Sequence, residues 1–160
     1  MAVLAYLALE GKDGYLRRDV LVGVFWPESD HAHARNALNQ VLHEFRRTLG
    51  TEALRTRGKH EVGLDPEVFS CDVWEFQDAL NAGDPRQALQ AYGGDLLPGF
   101  FLNGNREFEN WLEARREHLR ELAAGAAWKM AHGLIAGGDL VEAERTAQKA
   151  LSLVWSDETP

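Results

Sequence analysis

Apolar residues recur three and four positions apart over most of the chain, the spacing of one helix face. Residues 2–9, AVLAYLAL, predict a first helix, favoured by Leu4, Leu7 and the alanines. It leaves almost no room for a preceding cap, which reads as the edge of a longer domain or a late start. Gly11 to Gly14 predicts a turn. Residues 17–25, RRDVLVGVF, predict a second helix whose apolar side is Val20, Leu21, Val24 and Phe25. Pro27 ends it, because the residue before a proline avoids helical geometry, and Trp26 is read as a core anchor at the corner. The third helix spans Ala32 to Leu49. Ser29 or Asp30 can cap its start, Gly50 can end it, and Ala34, Leu38, Val41, Leu42, Phe45 and Leu49 form one stripe. Leu54–Arg57 and His60–Leu64 then predict two short strands around Gly58-Lys59, and Asp65-Pro66 turns the chain away.

From there the pattern is helical throughout. Asp72 and Glu75 resemble a capping box opening a helix to about Ala82, packed through Trp74 and Phe76. Gly83 stops it, Asp84 caps the next, and Pro85 takes its first position. The loop GGDLLPGFFLNGN carries so many apolar residues that Leu96, Leu97, Phe100 and Phe101 are expected to tuck onto neighbouring helices. A long helix follows from about Glu107 toward Ile135, with Phe108, Trp111, Leu112, Leu119, Leu122, Ala126, Met130 and Leu134 as its stripe. Glu113, Arg116, Glu117 and Arg120 are spaced for salt bridges along an exposed face. Trp111, Trp128 and Trp155 are read as core. Gly137-Gly138 ends the long helix and Asp139 caps the last, in which Ala143, Ala147 and Ala150 allow a close neighbour. Gly83–Tyr92, GDPRQALQAY, echoes Gly138–Ala147, GDLVEAERTA, a weak internal repeat of the stacked-hairpin, tetratricopeptide kind.

The third helix changes the picture from fold to function. Its polar faces carry Arg35, Asn36, Asn39, Gln40, His43, Arg46 and Arg47, side chains that reach base edges and phosphates. Residues 46–59 hold Arg46, Arg47, Arg55, Arg57 and Lys59 against the single acid Glu52. The chain as a whole has a net charge of −8, but residues 1–66 are neutral and the excess lies in residues 67–160. A neutral head with a basic segment beside an acidic body suits one face on phosphate and the rest repelled from it; ordinary solubility explains the acidic half equally well. No apolar run approaches a membrane span, and the start lacks a basic leader. The single cysteine, Cys71, fits a reducing cytoplasm and a packing role. Asp30-His31-Ala32-His33 has too few ligands for a metal site, Cys71 has no histidine partner in sequence, and the glycine pairs fit no phosphate-binding pattern. Neither a metal, a cofactor nor an enzymatic activity is expected.

Several stretches together resemble one family. Phe25-Trp26-Pro27, Ala34-Arg35-Asn36, Leu38 and Phe45-Arg46-Arg47-Thr48-Leu49-Gly50 are similar to the winged helix of SARP-type regulators, itself similar to the DNA-binding domain of OmpR/PhoB-kind response regulators. Asp72-Val73-Trp74-Glu75-Phe76, the run Tyr92 to Phe100 and Trp111 to Arg116 resemble the bacterial transcriptional activator domain. The strands that precede the first helix in that family are not found. The resemblance implies a mostly α protein: a winged helix-turn-helix with a small β wing at 1–68, then a tetratricopeptide-like all-α domain at 70–160. It implies a cytoplasmic transcriptional regulator that binds double-stranded DNA, recruits RNA polymerase and pairs as a homodimer on direct repeats. By position it puts Asn36, Asn39, Gln40, His43, Arg46 and Arg47 toward the groove and Arg57 on the wing. Arg55 and Lys59 flank Arg57, and Pro27, Glu28, Ser29 and Asp30 fall where such domains meet polymerase. The competing expectation is a protein-interaction or dimerisation scaffold whose winged helix no longer binds DNA.

Overall fold

The computed structural model describes residues 1–12 and 14–154. Mostly helical, it runs α1 (Ala2–Glu10), β1 (Leu16–Arg17), α2 (Arg18–Phe25), α3 (His31–Leu49), β2 (Leu54–Arg57), β3 (Glu61–Leu64), α4 (Asp72–Asn81), α5 (Pro85–Ala91), α6 (Arg106–Ala136) and α7 (Leu140–Val154). The chain divides into two compact units. One holds residues 1–71 together with 102–109; the other holds 72–101 and the chain from 110 onward. The first turn of α6 therefore belongs to the first unit and the remainder to the second.

The first unit packs three helices on a three-stranded antiparallel sheet of order β1-β3-β2. Leu16 faces Val62, and Leu54, Thr56 and Arg57 face Leu64, Val62 and Glu61. Strand β1 is two residues long, too short to show an alternation, and the sequence reading ran the helix through Arg17 instead. The Arg18 amide donates to the His60 carbonyl at 2.8 Å, tying the start of α2 to the β2–β3 turn. On α2 the buried arc is Leu21, Val22, Val24 and Phe25. Val20, expected inside, is exposed, and Val22 takes its place. Trp26 is only half-buried at the helix end, tilted against the Phe25 ring. Asp30, of the two candidate caps, starts α3: one carboxylate oxygen accepts from the Ala32 and His33 amides. Those bonds, and the His33 side chain, hold its carboxyl below the usual range. Gly50 ends the helix at φ 97°, a value that favours glycine.

Phe25 is the hub of this core. Tyr6 meets it edge-on at 5.7 Å, and Phe108 lies 5.3 Å away. Phe108 arrives with Asn105, which is buried and bonded at both ends of its amide. Its nitrogen donates to the Val24 carbonyl at 2.6 Å, and its oxygen accepts the Phe108 amide at 2.9 Å, opening α6.

In the second unit α4 and α5 form a tight hairpin, with Trp74, Phe76, Ala79 and Ala88 buried. The internal repeat is a repeat of turn geometry. Gly83 and Gly138 have φ 74° and 85°. Asp84 and Asp139 each donate their amide five residues back, to Ala79 and Leu134, and each caps the next helix through its carboxylate. The alanine four residues after each aspartate, Ala88 and Ala143, is buried.

The face of α6 that carries Arg116 and Arg120 is not the exposed one that charge spacing suggests. Both guanidiniums turn inward, their side chains only 12% and 10% exposed. Arg116 donates from Nε to the Leu96 carbonyl at 2.9 Å and from Nη2 to the Leu97 carbonyl at 2.6 Å. Arg120 pairs with Asp95 and Glu113. The two arginines thus fasten the loop after α5, which explains how Leu97 is held at φ 49°. Arg116→Ala should remove both clamps and leave two half-buried carbonyls unpaired, costing about 2 kcal/mol in urea unfolding. Lysine, which lacks the fork, should recover little of it. In the same loop Leu96, Leu97 and Phe100 are half-buried as expected, but Phe101 is 70% exposed. Trp128, read as core, is also exposed and lies over His132 instead. Trp111 is half-buried, and Trp155 lies outside the described residues.

Candidate nucleic-acid interface

Helix α3 buries Ala34, Leu38 and Leu42 and half-buries Val41, Phe45 and Leu49, so its remaining arc must face outward. Arg35, Asn36, Asn39, Gln40, His43 and Arg47 all lie exposed on it, while Arg46 is half-buried. The β2–β3 ribbon emerges next to the helix, and its turn exposes Arg57, Gly58, Lys59 and His60. Gly58 takes φ 59° there, which suits a residue without Cβ. The Pro27–Asp30 turn is exposed along its length.

The cations of this surface are not all free. Arg35 reaches Asp19 at 3.1 Å, and that bond is the main reason the Asp19 carboxyl sits below its ordinary range. Arg47 pairs with Glu44 at 2.6 Å, and Arg57 with Glu61 at 3.0 Å. Arg55, expected to join Arg57 and Lys59 as a DNA contact, does not share their exposed turn. It is half-buried at the base, donates to the Leu64 carbonyl at 3.2 Å and lies 4.0 Å from Asp65. Tyr15 lies under both ribbon arginines, its ring 5.3 Å from the Arg55 guanidinium carbon and 4.5 Å from that of Arg57. Cation–π contact of this kind ties the Tyr15 ring to the ribbon.

Arg18 is the residue that the sequence reading missed. It sits at the start of α2, half-buried, and donates from Nη1 to the Asn39 side-chain oxygen at 2.9 Å. Burial, and then the neighbouring charge of Arg46, lower its pKa from the ordinary guanidinium value. With Asp19, Arg35, Leu38, Gly58, Lys59 and His60 it lines a cleft of about 440 Å³ between the two helices and the ribbon turn. A basic pair, Arg17-Arg18, opening the predicted helix was the only signal, and spacing alone could not have aimed Arg18 at Asn39.

His33 bonds the Asp30 carboxylate, and among the described residues no cluster of three or more His, Cys, Asp or Glu side chains could hold a metal ion. Among the same residues no helix is long and apolar enough to cross a membrane. Compared with known proteins, the chain matches no family model, and no curated protein or solved structure is significantly similar to it.

Proposed function

We propose that this chain is a transcriptional regulator that binds double-stranded DNA, with α3 entering the major groove and the β2–β3 ribbon acting as a wing beside it. The observation that carries this reading is the outer arc of α3. A helix of 19 residues, capped at Asp30 and anchored by Leu38 and Leu42, turns Asn36, Asn39, Gln40 and His43 to solvent. Amides and imidazole on a rigid rod of that diameter are the groups that fit and read base edges. The order helix, strand, helix, helix, ribbon is that of a winged helix-turn-helix, and Lys59 at the ribbon tip supplies a cation for the phosphate backbone. In this reading the Pro27–Asp30 turn meets RNA polymerase. The helical hairpins of the second unit, tetratricopeptide-like, pair two copies on adjacent sites in the cytoplasm. The chemistry is binding and recruitment, without a catalytic step.

A filter-binding salt titration on mixed-sequence duplex tests it. Lys59→Ala should weaken binding to all sequences and reduce the slope of log affinity against log salt by about one. Glu44→Gln should strengthen binding, about fivefold at low salt, by removing a negative charge and releasing Arg47 to phosphate. Affinity independent of salt and of both substitutions would reject the reading.

One observation favours a second reading. Arg35, Arg47 and Arg57 are already neutralised by Asp19, Glu44 and Glu61, which suits a scaffold that docks protein partners and no longer binds DNA. A stable dimer with no measurable duplex binding would select it.

A further inference from the structure

We infer that Arg18 sets the base preference of Asn39, holding its amide as a hydrogen-bond donor so that it selects guanine rather than adenine; this rests on the DNA-binding reading. An arginine side chain carries only donors, so the atom of Asn39 that faces Arg18 Nη1 at 2.9 Å must be the oxygen. With the oxygen held by Arg18, the NH₂ group is the end of this exposed amide left to meet a base. Asparagine recognises adenine by using both ends, accepting from N6 and donating to N7. Here the accepting end is occupied by a cation. Its second lone pair lies beside a positive charge that repels an incoming amino group and attracts ring nitrogen and carbonyl oxygen. Guanine presents two acceptors, N7 and O6, on its groove edge, and an NH₂ group can serve both.

The geometry holds Arg18 in place for this task. Its backbone amide is bonded to the His60 carbonyl, and its side chain lies in the cleft between α2, α3 and the ribbon turn. Arg18 therefore touches no base itself in this account. It positions a residue that does.

The test is selection of bound duplex from a random pool by the full chain and by three variants. Asn39→Ala should flatten one position of the selected motif, which identifies the base pair concerned. The wild type should prefer guanine there. Arg18→Met should shift that position toward adenine, changing the guanine-to-adenine ratio about fivefold to tenfold, as expected for one hydrogen bond gained and one repulsion removed. Asn39→Asp keeps an acceptor for Arg18 but cannot donate, and should exchange guanine for cytosine, whose amino group a carboxylate accepts. This exposed substitution keeps the inference testable if Arg18→Met does not fold. An adenine preference in the wild type, an unchanged motif in Arg18→Met, or retained guanine in Asn39→Asp would overturn the role of Arg18 while leaving DNA binding intact. A wild type that retains duplex without enriching a sequence would overturn this inference alone, and one that retains no duplex would overturn the DNA reading with it.

Discussion

Replacing Phe108 by alanine is expected to destabilise the first unit by about 3–5 kcal/mol, the usual cost of deleting a fully enclosed aromatic ring. Phe108 is 0% exposed, and its ring lies 5.3 Å from that of Phe25. The loss has two parts: the transfer of the ring out of an apolar site, and the cavity left beside Phe25. Phe108 belongs to the long helix α6, yet the cost should fall on the unit that carries α3. Urea unfolding followed by amide signals of α1–α3 measures it. Phe108→Leu should lose less, because it keeps most of the volume. A change below about 1 kcal/mol would mean that the segment 102–109 is not part of that core.

Gly63→Val is the second large effect. Gly63 lies in β3, the central strand, buried opposite Arg55. A Cβ at this position would collide with the carbonyl oxygen of Gly14, with the Gly14 carbonyl carbon and the Tyr15 backbone close behind. Those neighbours are backbone, so no rotamer change can relieve the clash, and β1 must move away from β3. The expected cost is about 3 kcal/mol, at the upper end for overpacking, with loss of the β1–β3 pairing. Because Tyr15 lies under Arg55 and Arg57, the ribbon should loosen too. Nuclear Overhauser contacts between Leu16 and Val62 report the pairing directly. Their survival in a variant of unchanged stability would refute the close approach.

How much of this could be read in the residues depends on how local the cause is. The ends of α3 were legible because Asp30 and Gly50 act through their own backbone neighbourhood. The matched turns at Gly83-Asp84 and Gly138-Asp139 were legible for the same reason: each is complete within ten residues. What spacing could not supply was the partner brought by the fold. Arg116 and Arg120 occupy a helix face that looks solvated until the loop carrying Asp95, Leu96 and Leu97 lies on it. Trp128 occupies a helical position that matches a core stripe but is only partly covered, with His132 beside it. Strand β1 exists because β3 is there to pair with, not because two residues prefer it. In the candidate interface, the amide arc of α3 follows from helical periodicity. The links from Asp19 to Arg35, from Arg18 to Asn39 and from Tyr15 to Arg57 cross between elements.

In the DNA-binding reading proposed above, the outer arc of α3 and the ribbon turn are the surface that meets the duplex. Amide chemical-shift mapping of the full chain, titrated with a mixed-sequence 20-base-pair duplex at low salt, tests it most directly; the length is about two helical turns. The shifted signals should fall between Arg35 and Arg47 and between Arg57 and His60, and return as salt is raised. Shifts confined to α5–α7, or none at any salt, would contradict it.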